Sequence, residues 1–441
     1  MAIALGTTRQ ISPARRAAFD ILREVEAGAF SSILLAEELK LKAVDRALTH
    51  ELVLGVLRRQ LWLDKVIEHF TKRSIETLDL PVRLALRLGL YQLRFLERIP
   101  ASAAVNESVN LVRSAKVSSA AAFVNAVLRR SIREAEFDPG SVAKDSIERL
   151  AIATSHPAWL IERWIESFGI EEAEAFARAN NLVPPTAFRI VGGDLTEVLD
   201  RLRSAGGLLE PSKVAEDAWR IVNAPTLVRE LAAEGKIYLQ DEASQLVAQT
   251  VDLRPGERAL DLCAAPGGKT TLMAARVGEN ATALNSALIV ASDLSEKRLE
   301  TVVRTSALHN LSQIKFIRLD AAQPLPFANS VFDRLLLDAP CSGTGTLRRN
   351  PEIRWRISEA DITELAAQQK LFLHNAARVL KPGGQLVYST CSVERDENEQ
   401  VIEAFRESHS HFQPIKTIRT WPHREGTDGF FIASFRLATQ Q

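Results

Sequence analysis

The chain has 441 residues, too many for one ordinary domain, and that length points to about three. Its 46% hydrophobic and 25% charged residues are those of a soluble globular protein. Net charge is zero, which excludes a uniformly basic nucleic-acid binder and requires any such surface to be local.

Residues 9–140 read as helical throughout. Ala14, Ala17, Ala18, Ile21, Leu22 and Val25 recur at spacings of three and four, the signature of one helical face. The same period marks residues 48–57, 61–70, 81–96, 105–112 and 123–132, with Pro81 and Pro100 at helix starts or breaks. The basic pairs Arg58-Arg59, Lys72-Arg73 and Arg129-Arg130 are either solvated faces or a phosphate-contacting surface.

Residues 141–235 form a connecting region. An amphipathic helix carries Trp159 and Trp164, whose rings suit core packing better than base stacking. After Pro184-Pro185, a strand at 186–191, a helix at 195–205 and a strand at 219–222 predict a small α+β module of ferredoxin-like type.

From residue 236 strands and helices alternate. Candidate strands are 258–263, 288–293, 314–319, 334–338 and 385–390. Ser358, with Asp361 three positions on, caps the helix before the last strand, and Lys381-Pro382-Gly383-Gly384 stops it. Alternation of this kind predicts a parallel sheet with helices on both faces, and ligands gather at the carboxyl ends of its strands.

The stretch Leu-Asp-Leu-Cys-Ala-Ala-Pro-Gly-Gly-Lys-Thr at 260–270 is such an end. A strand runs into a small-residue turn, where Gly267 and Gly268 let the backbone approach a nucleotide-like ligand. The turn is neither Gly-x-Gly-x-x-Gly nor a P-loop, since position 263 is Cys263. Three further strand ends are acidic: Asp293, placed to accept from ribose hydroxyls, Asp320, placed to accept from an adenine amino group, and Asp338. A lone strand-end aspartate is often a turn residue, but three in successive strands point to a ligand.

The cysteines Cys263, Cys341 and Cys391 are odd in number and have no C-x-x-C spacing, which speaks for reduced thiols in the cytosol and against a disulfide framework or a metal site. Met1 to Gln10 has no signal-peptide pattern and no apolar run reaches membrane-spanning length, so a soluble cytoplasmic protein without membrane association is expected. Cys263 reads as a small buried apolar residue. Cys341 and Cys391 follow strand ends in polar surroundings, where adjacent strands would bring them close. Lys269 and the donors of Ser342 to Gly345 would raise a thiolate fraction there. Two thiols beside an adenosine-type cofactor suit one reaction. A thiolate added at C6 of a pyrimidine makes C5 nucleophilic toward a sulfonium methyl, and a base then removes the C5 proton.

Two resemblances follow from these residues. Asp45 to Thr49, Arg83 to Leu93, Val105 to Val109 and Phe123 to Arg129 resemble the helical RNA-binding fold of the NusB family. Residues 260–270, 338–345 and 389–392, supported by 238–244 and 426–431, resemble the RNA cytosine-5 methyltransferases of the NOL/NOP/Sun family, in its bacterial Sun-type branch. The resemblance implies a multidomain chain. It comprises an all-α NusB-like domain at 9–140, connecting helices and a ferredoxin-like module at 141–235, and a Rossmann-like class I methyltransferase domain at 236–441. It implies that Cys263, Ala264, Ala265, Pro266, Gly267, Gly268, Lys269, Asp293 and Asp320 hold S-adenosylmethionine and that Asp338 sits between cofactor and base. Cys391 would attack C6 and Cys341 would assist release. The basic run Arg348 to Trp355 would hold substrate contacts, or else be a solvated loop.

The implied substrate is 16S ribosomal RNA and the implied state a monomer. Transfer RNA is the alternative substrate, and a non-catalytic RNA-binding assembly factor the alternative role. An exocyclic-amine methyltransferase would show Asn-Pro-Pro-aromatic where this chain has Asp-Ala-Pro-Cys. One departure from the family pattern is residues 278–287, longer and less glycine-rich than usual.

Overall fold

The structure, a computed structural model, describes residues 11–37, 41–223, 225–278 and 287–439; Met1 to Gln10 and most of the long 278–287 segment lie outside the described residues. By contacts the chain divides into two units, Met1–Leu182 with Leu347–Arg356, and Val183–Thr346 with Ile357–Gln441.

The first unit is helical. Pro13–Glu26, Ala43–Arg58, Gln60–Thr71, Leu80–Phe95, Ala101–Ser114 and Ala121–Arg133 cover the predicted periods. Pro13 and Pro81 occupy first turns, where a missing N–H leaves no intrahelical bond unmade. The apolar faces converge: Ala18, Leu22, Leu52, Val56, Leu84, Leu88, Val124 and Leu128 are buried in one core. Each such leucine or valine stabilises the fold by about 1.5–3 kcal/mol. Trp164 is fully buried and meets Phe176 edge-on at 4.6 Å, the packing role its spacing suggested.

Two basic stretches behave differently from their composition. Lys72, Arg73 and Arg129 are exposed, but Arg58 is buried and donates from Nε and Nη2 to the carbonyl of Arg348 at 3.1 and 2.7 Å. Arg59 lies over the ring of Phe95 at 5.1 Å. The run Leu347–Arg356 is packed into this helical unit as a strap, rather than being a solvated loop. Arg354, 0% exposed, donates to the carbonyls of Ser155 and Asn180 and to Oδ1 of Asn181. Glu352 accepts from the backbone N–H and the hydroxyl of Ser31 at 2.8 and 2.9 Å. Arg356 donates to the carbonyls of Val25, Gly28 and Ala29. A guanidinium that fills backbone carbonyls in this way is engaged in holding the fold, and Arg354 and Glu352 are turned away from solvent.

The second unit holds two sheets. Strands β1 (Thr186–Ile190), β2 (Leu208–Pro211), β3 (Ala218–Val222) and β4 (Ile237–Leu239) pair antiparallel in the order β2-β3-β1-β4. The helix Leu195–Ser204, capped by Asp194, supplies Val198 and Leu202 to its small core. The larger sheet contains β5 (Arg258–Asp261), β6 (Leu288–Asp293), β7 (Ile314–Arg318), β8 (Phe332–Asp338), β9 (Leu380–Thr390), β10 (Phe412–Thr420) and β11 (Phe430–Leu437), in the order β10-β11-β9-β8-β5-β6-β7.

Strands β5 to β9 are parallel, as the alternation predicted. The sheet as a whole is mixed, because β11 runs antiparallel to β9 and β10. Those two strands escape periodicity for opposite reasons. The first six residues of β11 are buried, and residues 413–417 of β10 are successively exposed, so neither alternates. The helix Glu359–Ala377 carries the expected Ser358–Asp361 capping box. Lys381 to Gly384 do not merely terminate it: they open β9, where the register against β8 shifts. Among the described residues, no helix is long and apolar enough to cross a membrane.

Candidate active site

The sheet order lines up the residues of interest along one carboxyl edge. Cys391 follows β9, Asp338 and Cys341 close β8, Asp261 and its turn close β5, Asp293 closes β6 and Asp320 follows β7. The central turn is held by backbone. Ala264 N–H donates to the Ser292 carbonyl at 2.8 Å and Gly267 N–H to the Ala264 carbonyl at 2.7 Å. Gly267 has φ +102°, and a Cβ there would come within 3.0 Å of the Val302 side chain, so the turn requires glycine. The helix Gly268–Gly278 leaves directly from it.

A cleft of about 120 Å³ lies against this turn, lined by Cys263 to Pro266, Gly268, Lys269, Asp261 and Asp338 and, from the other side, by Tyr238, Leu239, Gln240 and Ser244. The Tyr238 side is tied to the four-stranded sheet. Arg189 of β1 lies over the Tyr238 ring at 4.9 Å and donates to the Thr271 hydroxyl at 2.8 Å, while burial brings its pKa down to about 10.

Asp261 was not singled out from the sequence. The signal was present, an acid between Leu260 and Leu262 inside an apolar strand. Its carboxyl is fully buried. Burial lifts its pKa to about 7 against the pull of the Thr270 hydroxyl, which donates to Oδ2 at 2.7 Å, and Asp338 adds repulsion. Its Oδ1 has no hydrogen-bond partner among the described residues. Leaving such an acceptor unpaired costs about 1–3 kcal/mol, which a ligand donor or cation would relieve.

Lys269 donates to Asp338, with Nζ 2.6 Å from Oδ2, and Ser389 donates to Oδ1 at 2.7 Å; Cys391 is also near enough to favour the Lys269 charge. Burial works against the Lys269 charge, yet the Asp338 carboxylate outweighs it and raises the ammonium pKa.

The two later thiols do meet. β8 and β9 are parallel neighbours with Asp338 opposite Ser389, and the sulfurs of Cys341 and Cys391 lie 3.4 Å apart. The shared hydrogen bond with Cys391, then burial, push the Cys341 thiol well above the usual range, so Cys341 holds its proton. Gly345 lets the loops close: its N–H donates to the Cys391 carbonyl at 2.9 Å, and a Cβ there would collide with the Gly429 carbonyl. Cys263 is not part of the pair. Burial, then the neighbouring Asp261, Asp338 and Asp293, raise its pKa, which makes it an inert thiol.

Asp293 Oδ1 accepts from Ser295 N–H at 3.0 Å, and Oδ2 faces Ala265 N–H at 3.4 Å and the Arg298 guanidinium at 3.6 Å. Asp320, half-buried, accepts from Ala322 N–H at 2.9 Å. Neither lines the cleft around Asp261; both stand further along the same edge of the sheet.

Three family models match this chain. They are the NusB family over residues 12–133, the RsmF/B-like ferredoxin-like domain over 156–228, and the 16S rRNA methyltransferase RsmB/F over 248–436. The ribosomal RNA small subunit methyltransferase B of Pseudomonas putida is 38% identical, covering 85% of this chain and 84% of the relative. That of Vibrio cholerae is 34% identical over 98% of this chain and 99% of the relative. Among solved structures, the crystal structure of PH0851 has a TM-score of 0.82 and 29% identity, covering 97% of this chain and 99% of that one. NSun6 from Pyrococcus horikoshii with SFG shares the fold, at a TM-score of 0.58 and 20% identity over 64% of this chain and 99% of that one. The chain belongs to the RsmB/F family of S-adenosylmethionine-dependent ribosomal RNA small-subunit methyltransferases.

Proposed function

We propose that this chain methylates C5 of a cytidine in 16S ribosomal RNA through a covalent bond between Cys391 and C6 of the base. The observation that carries this reading is the pair of thiols, 3.4 Å apart at neighbouring strand ends, beside an Asp338 carboxylate held by Lys269 and Ser389.

The residues present fit the cofactor. The turn from Cys263 to Lys269 offers a backbone surface without bulky side chains, and Asp261 brings a buried acceptor with one unpaired oxygen. Asp261 and Asp338 suit the cationic portion, Asp293 the ribose hydroxyls and Asp320 the adenine amino group. Bound S-adenosylmethionine supplies an electrophilic methyl group.

The protein's part is to make C5 nucleophilic and then to clear its proton. Cys391, as thiolate, adds to C6, forming a C–S bond and moving an electron pair toward C5 and the ring. Asp338, fixed from both sides, holds the polar edge of the cytosine so that C6 faces the sulfur. Cys341 begins protonated: the hydrogen bond it shares with Cys391, then burial, oppose its charge. Bonding of Cys391 to carbon removes the first of these, and Cys341 then gives its proton to solvent. As thiolate it takes the C5 proton, the C6–S bond breaks, and Cys391 leaves with the electron pair. The balance is one methyl gained and one proton released.

The direct test is transfer of labelled methyl from S-adenosylmethionine to unmodified small-subunit rRNA, with a transfer-RNA pool alongside and the products digested to nucleosides. Label in 5-methylcytidine from the rRNA alone is expected. Label only in the tRNA would keep the chemistry and overturn the substrate, and cofactor binding without label in any RNA would favour the assembly-factor role. Cys391→Ala should lower transfer by on the order of 10⁴-fold or more with cofactor binding retained. Cys341→Ala should accumulate a protein–RNA adduct stable on a denaturing gel; its absence in a single turnover would remove the release role.

A further inference from the structure

The residue after each of the two thiols is a serine, Ser342 and Ser392, and both hydroxyls point at one carboxylate. Glu397 Oε2 accepts from Ser342 Oγ and from Ser392 Oγ, each at 2.5 Å, and the two hydroxyls lie 3.0 Å from each other. Glu397 Oε1 accepts from the backbone N–H of Ser342 at 2.8 Å and from Gln369 Nε2 at 3.0 Å. That same Gln369 nitrogen also donates to the carbonyl of Pro340, on the far side of Cys341, at 2.9 Å. The next residue treats Cys391 likewise: Asn398 accepts from the Thr390 hydroxyl at 2.6 Å and donates to the Ser392 carbonyl at 2.9 Å. Tyr388 fixes the backbone of Glu397, donating to its carbonyl at 2.5 Å.

All of these side chains are buried: Glu397, Gln369 and Asn398 are 0% exposed, Ser392 is 1% and Ser342 is 5%. Four donors converge on the two oxygens of Glu397, which is the full acceptor capacity of a carboxylate and twice that of an amide. Burial raises the Glu397 pKa and the serine bonds oppose that rise. None of these side chains lines the cleft beside Lys269. The network ties the backbone on either side of Cys341 to the Ser392 hydroxyl, while Asn398 holds the Thr390 hydroxyl and the Ser392 carbonyl on either side of Cys391.

The geometry points to Glu397 as the positioning residue that sets the spacing of the two thiols, with Ser342 and Ser392 as the arms through which it acts. This rests on the two-thiol reaction proposed above for its use, but not for its test. A thiolate cannot serve as nucleophile while its neighbour serves as base unless both reach one pyrimidine ring, and a misplacement of about 1 Å can cost on the order of 10²-fold in rate.

The test reads thiol spacing without RNA or cofactor. Diamide oxidises two neighbouring thiols to a disulfide: each sulfur gives up a proton and an electron, and the azo bond takes up both pairs to become a hydrazine. Closure of the Cys341–Cys391 disulfide is followed by mass spectrometry in the full-length protein, with S-adenosylmethionine affinity and the melting temperature measured on the same samples. Glu397→Ala should slow closure at least tenfold and lower kcat of methyl transfer about a hundredfold, leaving cofactor affinity within twofold. Glu397→Gln keeps the volume and one acceptor oxygen and should fall between, whereas a pure packing role would let it restore the wild-type rate. It also carries the test should the alanine variant fail to fold.

Closure at the wild-type rate in these variants overturns the proposal. So does a loss of cofactor affinity equal to the loss of closure rate, which would mark a general collapse of the sheet edge. A wild-type chain that forms no 5-methylcytidine in any RNA, but whose disulfide closure depends on Glu397, would overturn the reaction and keep the positioning role.

Discussion

Each of the two units carries an ion pair, one buried and one half-buried, and the two pairs are built differently. In the helical unit Arg87 grips Asp64 with both prongs of its guanidinium, at 2.7 and 2.8 Å, and reaches Glu26 with the remaining nitrogen at 2.6 Å. The side chains of Arg87 and Asp64 are only 5% and 11% exposed. In the α/β unit Lys269 meets Asp338 through a single contact, and the Asp338 side chain is 25% exposed, toward the cleft. An arginine fork closed on both carboxylate oxygens has nothing left to offer a ligand. A lysine is a point charge on a rotatable stem, and its partner keeps a face open. Burial of charge alone therefore does not mark a candidate site; at Lys269 and Asp338 it comes with a face open to the cleft.

The sharpest way to break this contrast is at the sealed pair. Arg87→Met should leave Asp64 buried without its counter-charge and cost about 3–5 kcal/mol, lowering the midpoint of the helical unit's thermal transition by roughly 10 °C. Methyl transfer per folded molecule should stay near the wild-type value. The double variant Arg87→Met/Asp64→Leu should recover most of the stability, since two apolar groups can replace a buried pair at little net cost. Failure to recover would mean that Glu26 depends on the same arginine for more than a surface contact.

At the open pair the outcome should reverse. Asp338→Asn keeps the shape and the Ser389 hydrogen bond but removes the charge that holds Lys269. Methyl transfer should fall by about 10²-fold while the melting temperature moves by only a few degrees. If Asp338→Asn instead unfolds the α/β unit and spares the activity of what remains folded, the distinction between the pairs fails.

Much of the fold and the meeting of the two thiols was readable from the sequence, but neither ion pair was. Helical period placed the buried faces of Pro13–Glu26 and Ala121–Arg133, and five strand ends put Asp338, Cys341 and Cys391 within reach of one another. Such features are local, repeating or terminal, and one sequence records them. The strap Leu347–Arg356 was not legible, because arginines beside a tryptophan have the composition of a nucleic-acid loop. Only tertiary packing shows that Arg354 donates to carbonyls in the helical unit. Glu397 was equally silent. Its one sequence trace is a serine after each of Cys341 and Cys391, and that pattern acquires meaning only when β8 and β9 are neighbours.

The smallest expected effect concerns Asp261, the buried carboxyl that shares the cleft with Asp338. Its pKa is lifted to about 7 by burial, opposed by Thr270 and Lys269 and reinforced by Asp338 and Asp293. In the ligand-free protein the folded pKa thus exceeds the ordinary carboxyl value. The associated stability is fully present below pH of about 4 and is lost as pH rises through about 7. Cofactor binding should have the opposite slope, since a cationic ligand favours the ionised carboxyl. Affinity for S-adenosylmethionine should therefore be several-fold higher at pH 8 than at pH 6, as measured by calorimetry in one buffer series. Asp261→Asn should flatten that slope and weaken binding at pH 8 while stabilising the free protein there. The stability gain separates the variant from simple damage to the turn, because a damaged turn would lose stability and affinity together. A slope unchanged in Asp261→Asn would move the titrating group elsewhere in the cleft and leave Asp261 on the structural side of the comparison, with Asp64.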